Sequence, residues 1–530
     1  THLVQKRRRH SGTMMKFEPN LADIELGQTR TSLFWHEAKT FSEDYSASAF
    51  CDLYVNGNGV VICSNNCADS REDKPELLNG GIGYGLRRLV AEKARTAKDA
   101  VEIACNLVEK YGYASSGRSY AFSDKDEIFV MQIVNGKHYA ISRVPDDEVA
   151  VIPNHYTIRE PDKKSRGYDE LVSYAIKRGW FNPDEGEIFD FSKVYQADDY
   201  FGLEKNTYRH VKAFEILLEM DLSGLLKTEW QSLPFSIKPA QKVGIETLKR
   251  ILRSHNETPN DHFSKPISIC NIDTLESTIV QIRYNPDRII IRKALGRPCS
   301  TPYLTWYFGI NSMPEGYEDV EPEKSLDEHF KTKPQDMDYK NNAWYRAMKI
   351  NAACDILGER ENNLVSRKIK SIEENFESTL EPLDAQIELR LKDRPIIARS
   401  MMEGIVMQFA EKIEIFTQEM INKLNIIHGE ALNSISIKDG ENFKIKIPKD
   451  HINFNELDIS KCKCGTSYTT QNQWSQCVNV NDLNRNYYEL EFNSGEWIKD
   501  AVPCFTDLYL VLVDKSGKKF AGTVKTQVRR

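Results

Sequence analysis

The stretch Asp52-Leu53-Tyr54-Val55-Asn56-Gly57-Asn58-Gly59-Val60-Val61-Ile62-Cys63 decides the fold class. Two apolar runs of strand length flank a pair of Asn-Gly dipeptides. Glycine beside asparagine accepts backbone with φ above zero, so the pattern predicts strand, tight turn, strand. A helical pattern follows. Gly80-Gly81-Ile82-Gly83 opens a segment with Leu86, Leu89 and Val90 at helical spacing. Thr96 then precedes Ala97-Lys98-Asp99, a capping signature with an acidic residue at the third helical position. Ala97, Val101, Ala104, Cys105 and Val108 line one helical face, and Gly112 supplies a stop.

Strand patterns resume at Ser119–Phe122, Glu127–Val134 and His138–Arg143, with a short apolar run at Val149–Ile152. Three more fall at Ser277–Arg283, Arg288–Ala294 and Tyr303–Gly309. Strands, a helical layer, then more strands predict an α+β sandwich; a parallel sheet would alternate strand and helix. From about 336 to 428 the pattern is long and helical, with Ile405, Val406, Phe409, Ile413, Ile415 and Phe416 marking the apolar side of Met401–Leu424. The tail returns to short runs (Phe443–Ile447, Tyr487–Phe492, Leu508–Val513, Lys519–Val524) and predicts a small antiparallel β domain. The expected division is 1–335 for the core, 336–430 for a helical extension and 431–530 for the β domain.

A chain of 530 residues exceeds one typical core. Its formal net charge of −7 argues against nucleic acid as a partner, and no apolar run reaches the length of a membrane span. The 11 cysteines are scattered through apolar surroundings, which fits buried thiols in a reducing compartment such as the cytoplasm. In the tail, Cys462-Lys463-Cys464, Cys477 and Cys504 are numerous enough for zinc, but one residue between the paired cysteines is too short for the usual module. Buried thiols or one disulfide are expected there, and no metal or cofactor.

Several segments together resemble the dipeptidase A family, relatives of the secernins and more distantly of the penicillin and bile-salt acylases. They are Asn56-Gly57-Asn58-Gly59-Val60, Ser70-Arg71-Glu72-Asp73, Gly81-Ile82-Gly83-Tyr84, Arg95 through Val101, and Tyr111-Gly112-Tyr113. Ser115-Ser116-Gly117, Arg143-Val144-Pro145-Asp146-Asp147 and Pro153-Asn154-His155-Tyr156 continue the likeness. So do Pro234 through Pro239, Gly296-Arg297-Pro298-Cys299 and Trp306 through Ile310. The likeness runs over residues 5 to 428.

The resemblance implies a four-layer αββα N-terminal-nucleophile hydrolase that cleaves short peptides, dipeptides above all. In that class the first residue of the mature chain is a cysteine whose own α-amine takes its proton. A thiolate attacks the amide, donors hold the oxyanion, and water releases the acyl-enzyme. Asn154 matches an asparagine that donates to the oxyanion, and Asn56 one that helps shape that site. Gly57 stands where the family usually has Glu. Arg71 is a candidate for a substrate carboxylate, its bland reading being an ion pair with Glu72 or Asp73. His155 is expected to be structural, as are Cys51, Cys63 and Cys67, which flank the turn.

Val4-Gln5-Lys6-Arg7-Arg8-Arg9-His10-Ser11-Gly12 resembles a segment lying a few dozen residues after the nucleophile, so the nucleophile and the strand it begins are expected upstream of Thr1. Thr1 itself leads at once into Lys6-Arg7-Arg8-Arg9, a poor buried strand. The rival expectation is a non-catalytic scaffold that keeps the fold, with the tail as its binding module. A homo-oligomer fits either expectation.

Overall fold

The computed structural model describes residues 2–7, 14–15, 21–22, 24–25, 32–41, 47–50, 53–66, 70–83, 85–197, 203–227, 232–255, 267–317, 343–432, 434–436, 441–450, 452–466, 471–500 and 504–529. Thr1, Cys51 and Cys67 lie outside them.

The Asn56 hairpin forms as its sequence predicts: Leu53–Asn56 pairs with Val61–Asn66 across the turn. It sits inside an antiparallel sheet ordered His2–Arg7, Ser32–Phe41, Leu53–Asn56, Val61–Asn66, Tyr113–Ser123, Ile128–Gly136, Tyr139–Arg143, with Ala47–Phe50 also on Ser32–Phe41. Side chains alternate across the pleat, so neighbouring residues enter different cores. Tyr54, Ile62, Tyr120, Phe122, Met131 and Ile133 meet the helices Leu86–Lys93 and Ala97–Tyr111. Phe34, Val55 and Val61 face the other way, toward Ile291, Trp306, Phe376 and Phe409.

Ile291 and Trp306 belong to a three-stranded antiparallel sheet of Glu276–Gln281, Ile290–Leu295 and Leu304–Tyr307. Phe376 and Phe409 stack at 4.0 Å between the helices Glu359–Asp393 and Pro395–Lys423, which follow Ala343–Leu357. In the last helix Ile405, Val406, Phe409, Ile413 and Phe416 are buried, but Ile415 is 60% exposed, because it lies off the stripe that its neighbours define. The molecule is thus a mixture of helix and sheet.

The tail differs from the expected antiparallel domain. Its strands follow one another in the order Ile427–Ala431, Phe443–Pro448, Tyr487–Phe492, Ser475–Asp482, Lys463–Gly465, Cys504–Val513, Lys519–Arg529, and the last pairs with the first. The sheet is therefore a closed barrel. Its seam is parallel, Ile427 facing Gly522, and Ile435–Ser436 extends the parallel pairing on the same strand. Closure removes exposed edges, which a short antiparallel domain would have to protect otherwise. Cys462, Cys464 and Cys477 lie in the barrel's apolar core, where burial pushes the Cys462 thiol up to about 11 and the Cys477 thiol up to about 12.

Candidate active site

Asn56 is fully buried beneath the helix Leu86–Lys93. Its amide nitrogen donates to the carbonyls of Ala91 and Ala94 at 3.0 and 2.8 Å. Its amide oxygen accepts from the backbone N–H groups of Asn58 and Val60, both at 3.0 Å. Helix C-termini leave carbonyls without intrahelical partners, and this side chain satisfies two of them while it fixes the turn. Asn58 adds its own amide to Ala94 at 2.9 Å. Asn56 thus shapes the hairpin, and its hydrogens are directed at the protein itself.

Asn154 is half-buried, next to buried Pro153. Its amide nitrogen donates to the carbonyl of Asn66, at the end of a central strand, at 2.7 Å. Its amide oxygen accepts from Arg209 Nη1 at 3.2 Å. Guanidinium groups only donate, so Arg209 determines which end of the amide is oxygen and turns the NH₂ toward the strand end. Asn206 donates to the Asn154 carbonyl at 3.1 Å, and Arg209 Nε continues to the Ser268 carbonyl at 3.1 Å. Asn65 reaches the Ile152 carbonyl. Behind this rim Gln132 accepts from the N–H groups of Thr157 and Ile158 at 2.9 Å and donates to Ser119 and Thr157 hydroxyls. Asn154 therefore projects from a segment held at both sides.

His155 and His210 lie buried and share a contact of 3.2 Å between Nε2 and Nδ1. Burial holds the His155 imidazole well below its usual range and lowers that of His210 to about 3, so both rings are neutral at neutral pH. A neutral, buried pair that joins a loop to a helix is a structural device, as expected for His155.

Arg71 is half-buried and bonds through its backbone N–H to the Tyr195 carbonyl at 2.8 Å. The carboxylates expected beside it go elsewhere: Arg178 takes Glu72 at 2.6 Å and also pairs with Asp73. Glu72 instead helps line a pocket of about 530 Å³ with Glu109, His138, Tyr139, Arg166 and Tyr174. Burial lowers the His138 pKa there, against the pull of Glu72, Glu76 and Glu170. Arg71, Asn154 and the residues that hold Asn154 do not line this pocket, so it is separate from the rim.

Sequence reasoning missed Asn206, Arg209, Arg87 and Arg118. Asn206 and Arg209 stand one helical turn apart and meet the same residue, a spacing readable only once the partner is known. Arg87 and Arg118 converge on the buried Ser64 hydroxyl at 2.6 and 3.1 Å, two residues before Asn66. Cys63 lies mid-strand opposite Leu53 and Ala121, and burial pushes the Cys105 thiol up to about 12.

The sequence pattern of peptidase family C69 matches residues 57–350, and the chain belongs to that family. A protein of Latilactobacillus sakei named "Probable dipeptidase" is 30% identical over 273 residues, which are 47% of this chain and 55% of that protein. One of the same name from Salmonella dublin is 25% identical over 298 residues, 53% of this chain and 67% of its own length. A "Probable dipeptidase B" of Streptococcus pyogenes serotype M1 is 24% identical over 403 residues, 69% of this chain and 74% of that protein. The chain thus spans about half the length of the Latilactobacillus sakei relative. A conjugated bile acid hydrolase from Clostridium perfringens overlays 59% of this chain and 87% of its own, at 10% identity and a TM-score of 0.30, a likeness too loose to bear on the site. Among the described residues no helix is long and apolar enough to cross a membrane.

Proposed function

We propose that this chain forms the body of a dipeptidase that hydrolyses short peptides through a thiol acyl-enzyme. The reading rests on membership of peptidase family C69, on relatives named as dipeptidases, and on one geometric observation: Arg209 turns the Asn154 NH₂ toward a half-open strand end. In this reading the Asn154 amide donates to the oxyanion, Asn56 shapes the neighbouring turn, and Arg71 receives the substrate carboxylate. The helix pair, the large sheet, the three-stranded sheet and the long helices are the four layers of an αββα sandwich. The chain divides at about 335 and 430 into core, helical extension and barrel.

The attacking thiol belongs outside the described residues. Cys63 sits inside a strand, Cys270 and Cys299 sit in internal loops, and burial keeps Cys105, Cys354, Cys462, Cys464 and Cys477 protonated at neutral pH. None of these has an α-amine beside it. The 530-residue chain, assayed by itself, is expected to be silent toward dipeptides. The test of the site uses the complete gene product: Asn154→Ala lowers kcat by about 10²–10³-fold, the usual effect of losing one oxyanion donor. Its unfolding free energy in urea falls by less than about 1 kcal/mol, since the residue is half-exposed. Unchanged turnover in that variant would remove Asn154 from the mechanism. Dipeptide turnover by the 530-residue chain would place the thiol within it.

A further inference from the structure

One cluster of ligand-type side chains stands apart from these assignments. His255 follows the helix Ile245–Leu252, Cys270 opens the approach to the strand Glu276–Gln281, and Cys299 ends the Gly296-Arg297-Pro298-Cys299 motif. Their ligand atoms, one imidazole nitrogen and two sulfurs, all lie within 4.8 Å of one another. Cys270 is buried, while His255 and Cys299 are half-buried. Among the described residues it is the one group of three or more His, Cys, Asp or Glu with this spacing.

The surroundings hold the three in place. The Cys270 N–H donates to the Ser254 carbonyl at 3.0 Å, which ties the second ligand to the residue before the first. Arg253 Nε donates to the Pro298 carbonyl at 2.8 Å, which ties the third ligand's segment to the same turn. Tyr208 donates to the His255 carbonyl at 3.1 Å. The loop before Cys299 is locked as well: Gly296 has φ +82, a Cβ there would meet Asn351 Oδ1 at 2.5 Å, and Asn351 accepts from the Arg297 N–H at 2.8 Å.

The electrostatics are permissive. Two arginines flank the cluster, and each is matched by a carboxylate: Arg253 by Glu373 at 2.6 Å and Arg297 by Asp355 at 2.6 Å. A dication with two thiolates adds no net charge to that balance.

We propose that His255, Cys270 and Cys299 form a binding site for a thiophilic divalent cation of the Zn²⁺ type. Two sulfurs and one imidazole are the donor set that such ions select. Zinc–sulfur bonds of about 2.3 Å in a tetrahedron put sulfurs about 3.8 Å apart, so side-chain adjustments on the order of 1 Å close the set. On binding, each thiol gives its proton to solvent and each sulfur donates an electron pair to the metal. A water would complete the tetrahedron as fourth ligand. The ion clasps three segments that are far apart in sequence. Arg209 connects one of them, through the Ser268 carbonyl, to Asn154.

The 530-residue chain, reduced, stripped of metal with a chelator that is then removed, and titrated anaerobically with Co²⁺, tests this. Expected is a thiolate-to-cobalt charge-transfer band that saturates at one ion per chain and is displaced by Zn²⁺. The band disappears in Cys270→Ser and in Cys299→Ser, and shifts with weaker Co²⁺ affinity in His255→Ala. It survives when Cys462, Cys464 and Cys477 are all replaced by Ser. If the serine variants do not fold, His255→Ala at its half-buried position carries the test alone. An absent band in the folded wild-type chain, a band unaltered by His255→Ala, or a Cys270–Cys299 disulfide in the protein as purified would overturn the proposal.

Discussion

Asn56 and Asn154 bear the same amide in different solvent. At Asn56 water is excluded, so each of the four hydrogen bonds replaces one that water would make, and a missing partner costs the full desolvation of the group left behind. Asn56→Asp removes both donors and faces a carboxylate to two carbonyls. It is expected to destabilise the chain by at least about 3 kcal/mol in urea unfolding, far more than Asn154→Ala. The sequence drew attention to both positions through the resemblance of their motifs to the dipeptidase A family, and to Asn56 also through its Asn-Gly turn. It could not separate their roles, because burial and the Arg209 contact come from residues distant in sequence. The same holds for His155, whose partner His210 lies 55 residues away. Both imidazoles are buried and neutral in the fold, whereas in the unfolded chain they take up protons near 6.5, the ordinary value for histidine. A depressed folded pKa in a basic group means that the unfolded state binds more protons, so stability falls as pH drops below about 6.5, by about 1.4 kcal/mol per pH unit for each histidine. For His210 the fall continues toward its folded value of about 3. Replacing it by Gln, which hydrogen-bonds but does not titrate, is expected to lower the slope of stability against pH by about 1.4 kcal/mol per unit between pH 4 and 6. An unchanged slope would show that this ring stays out of the acid transition.

At the scale of elements, the helix Ala97–Tyr111 was readable almost residue by residue. Thr96 accepts from the Asp99 N–H at 3.1 Å while Asp99 accepts from the Arg95 N–H at 2.8 Å, and the predicted apolar stripe is the buried one. The stop at Gly112 has a second cause that the sequence hides. The glycine has φ +74, and a Cβ would lie 2.1 Å from the Glu76 carbonyl oxygen. Helix termination and close backbone approach act together there. Thr96→Ala is expected to cost about 1 kcal/mol, the usual value of an N-cap, whereas Gly112→Ala costs more than about 2 kcal/mol because the 70–83 segment must move. Equal effects on the urea midpoint would mean that the loop yields freely. The hairpin strands Leu53–Asn56 and Val61–Asn66, the strands that follow up to Arg143, and four of the barrel strands were legible by their alternation, whereas Ser32–Phe41, Ile427–Ala431, Lys463–Gly465 and Ser475–Asp482 were not singled out. Nor was the parallel seam. Pairing Ile427 with Gly522 joins residues from the two ends of the domain, and alternation reports which face is buried without reporting the neighbour.

At the scale of the molecule, one buried ion pair joins the three parts that the sequence divides. Arg297 leaves the three-stranded sheet and meets Asp355 of the helix Ala343–Leu357 at 2.6 Å, with side-chain exposures of 1% and 0%. Tyr509 of the barrel donates to the same carboxylate at 2.9 Å. Around them, Ile350, Ala353 and Phe416 from the helices pack with Trp474, Val511 and Ala521 from the barrel in one apolar cluster. The motif containing Arg297 stood out in the sequence, yet its partners could not, because a charge pair spanning distant segments leaves no periodic trace. A buried arginine that loses its carboxylate keeps its charge without compensation, so Asp355→Asn is expected to cost about 3–5 kcal/mol. Tyr509→Phe, which removes one hydrogen bond to a charged acceptor, costs about 1.5–3 kcal/mol. The two changes share one carboxylate, so they must not add: the double variant is expected to be more stable than the sum of the singles predicts, by about 0.5–3 kcal/mol. That coupling, measured by urea unfolding, tests whether barrel and core are joined through Asp355. Simple additivity would mean that the barrel is held by the apolar cluster alone, with the Tyr509 hydroxyl satisfied equally well by water.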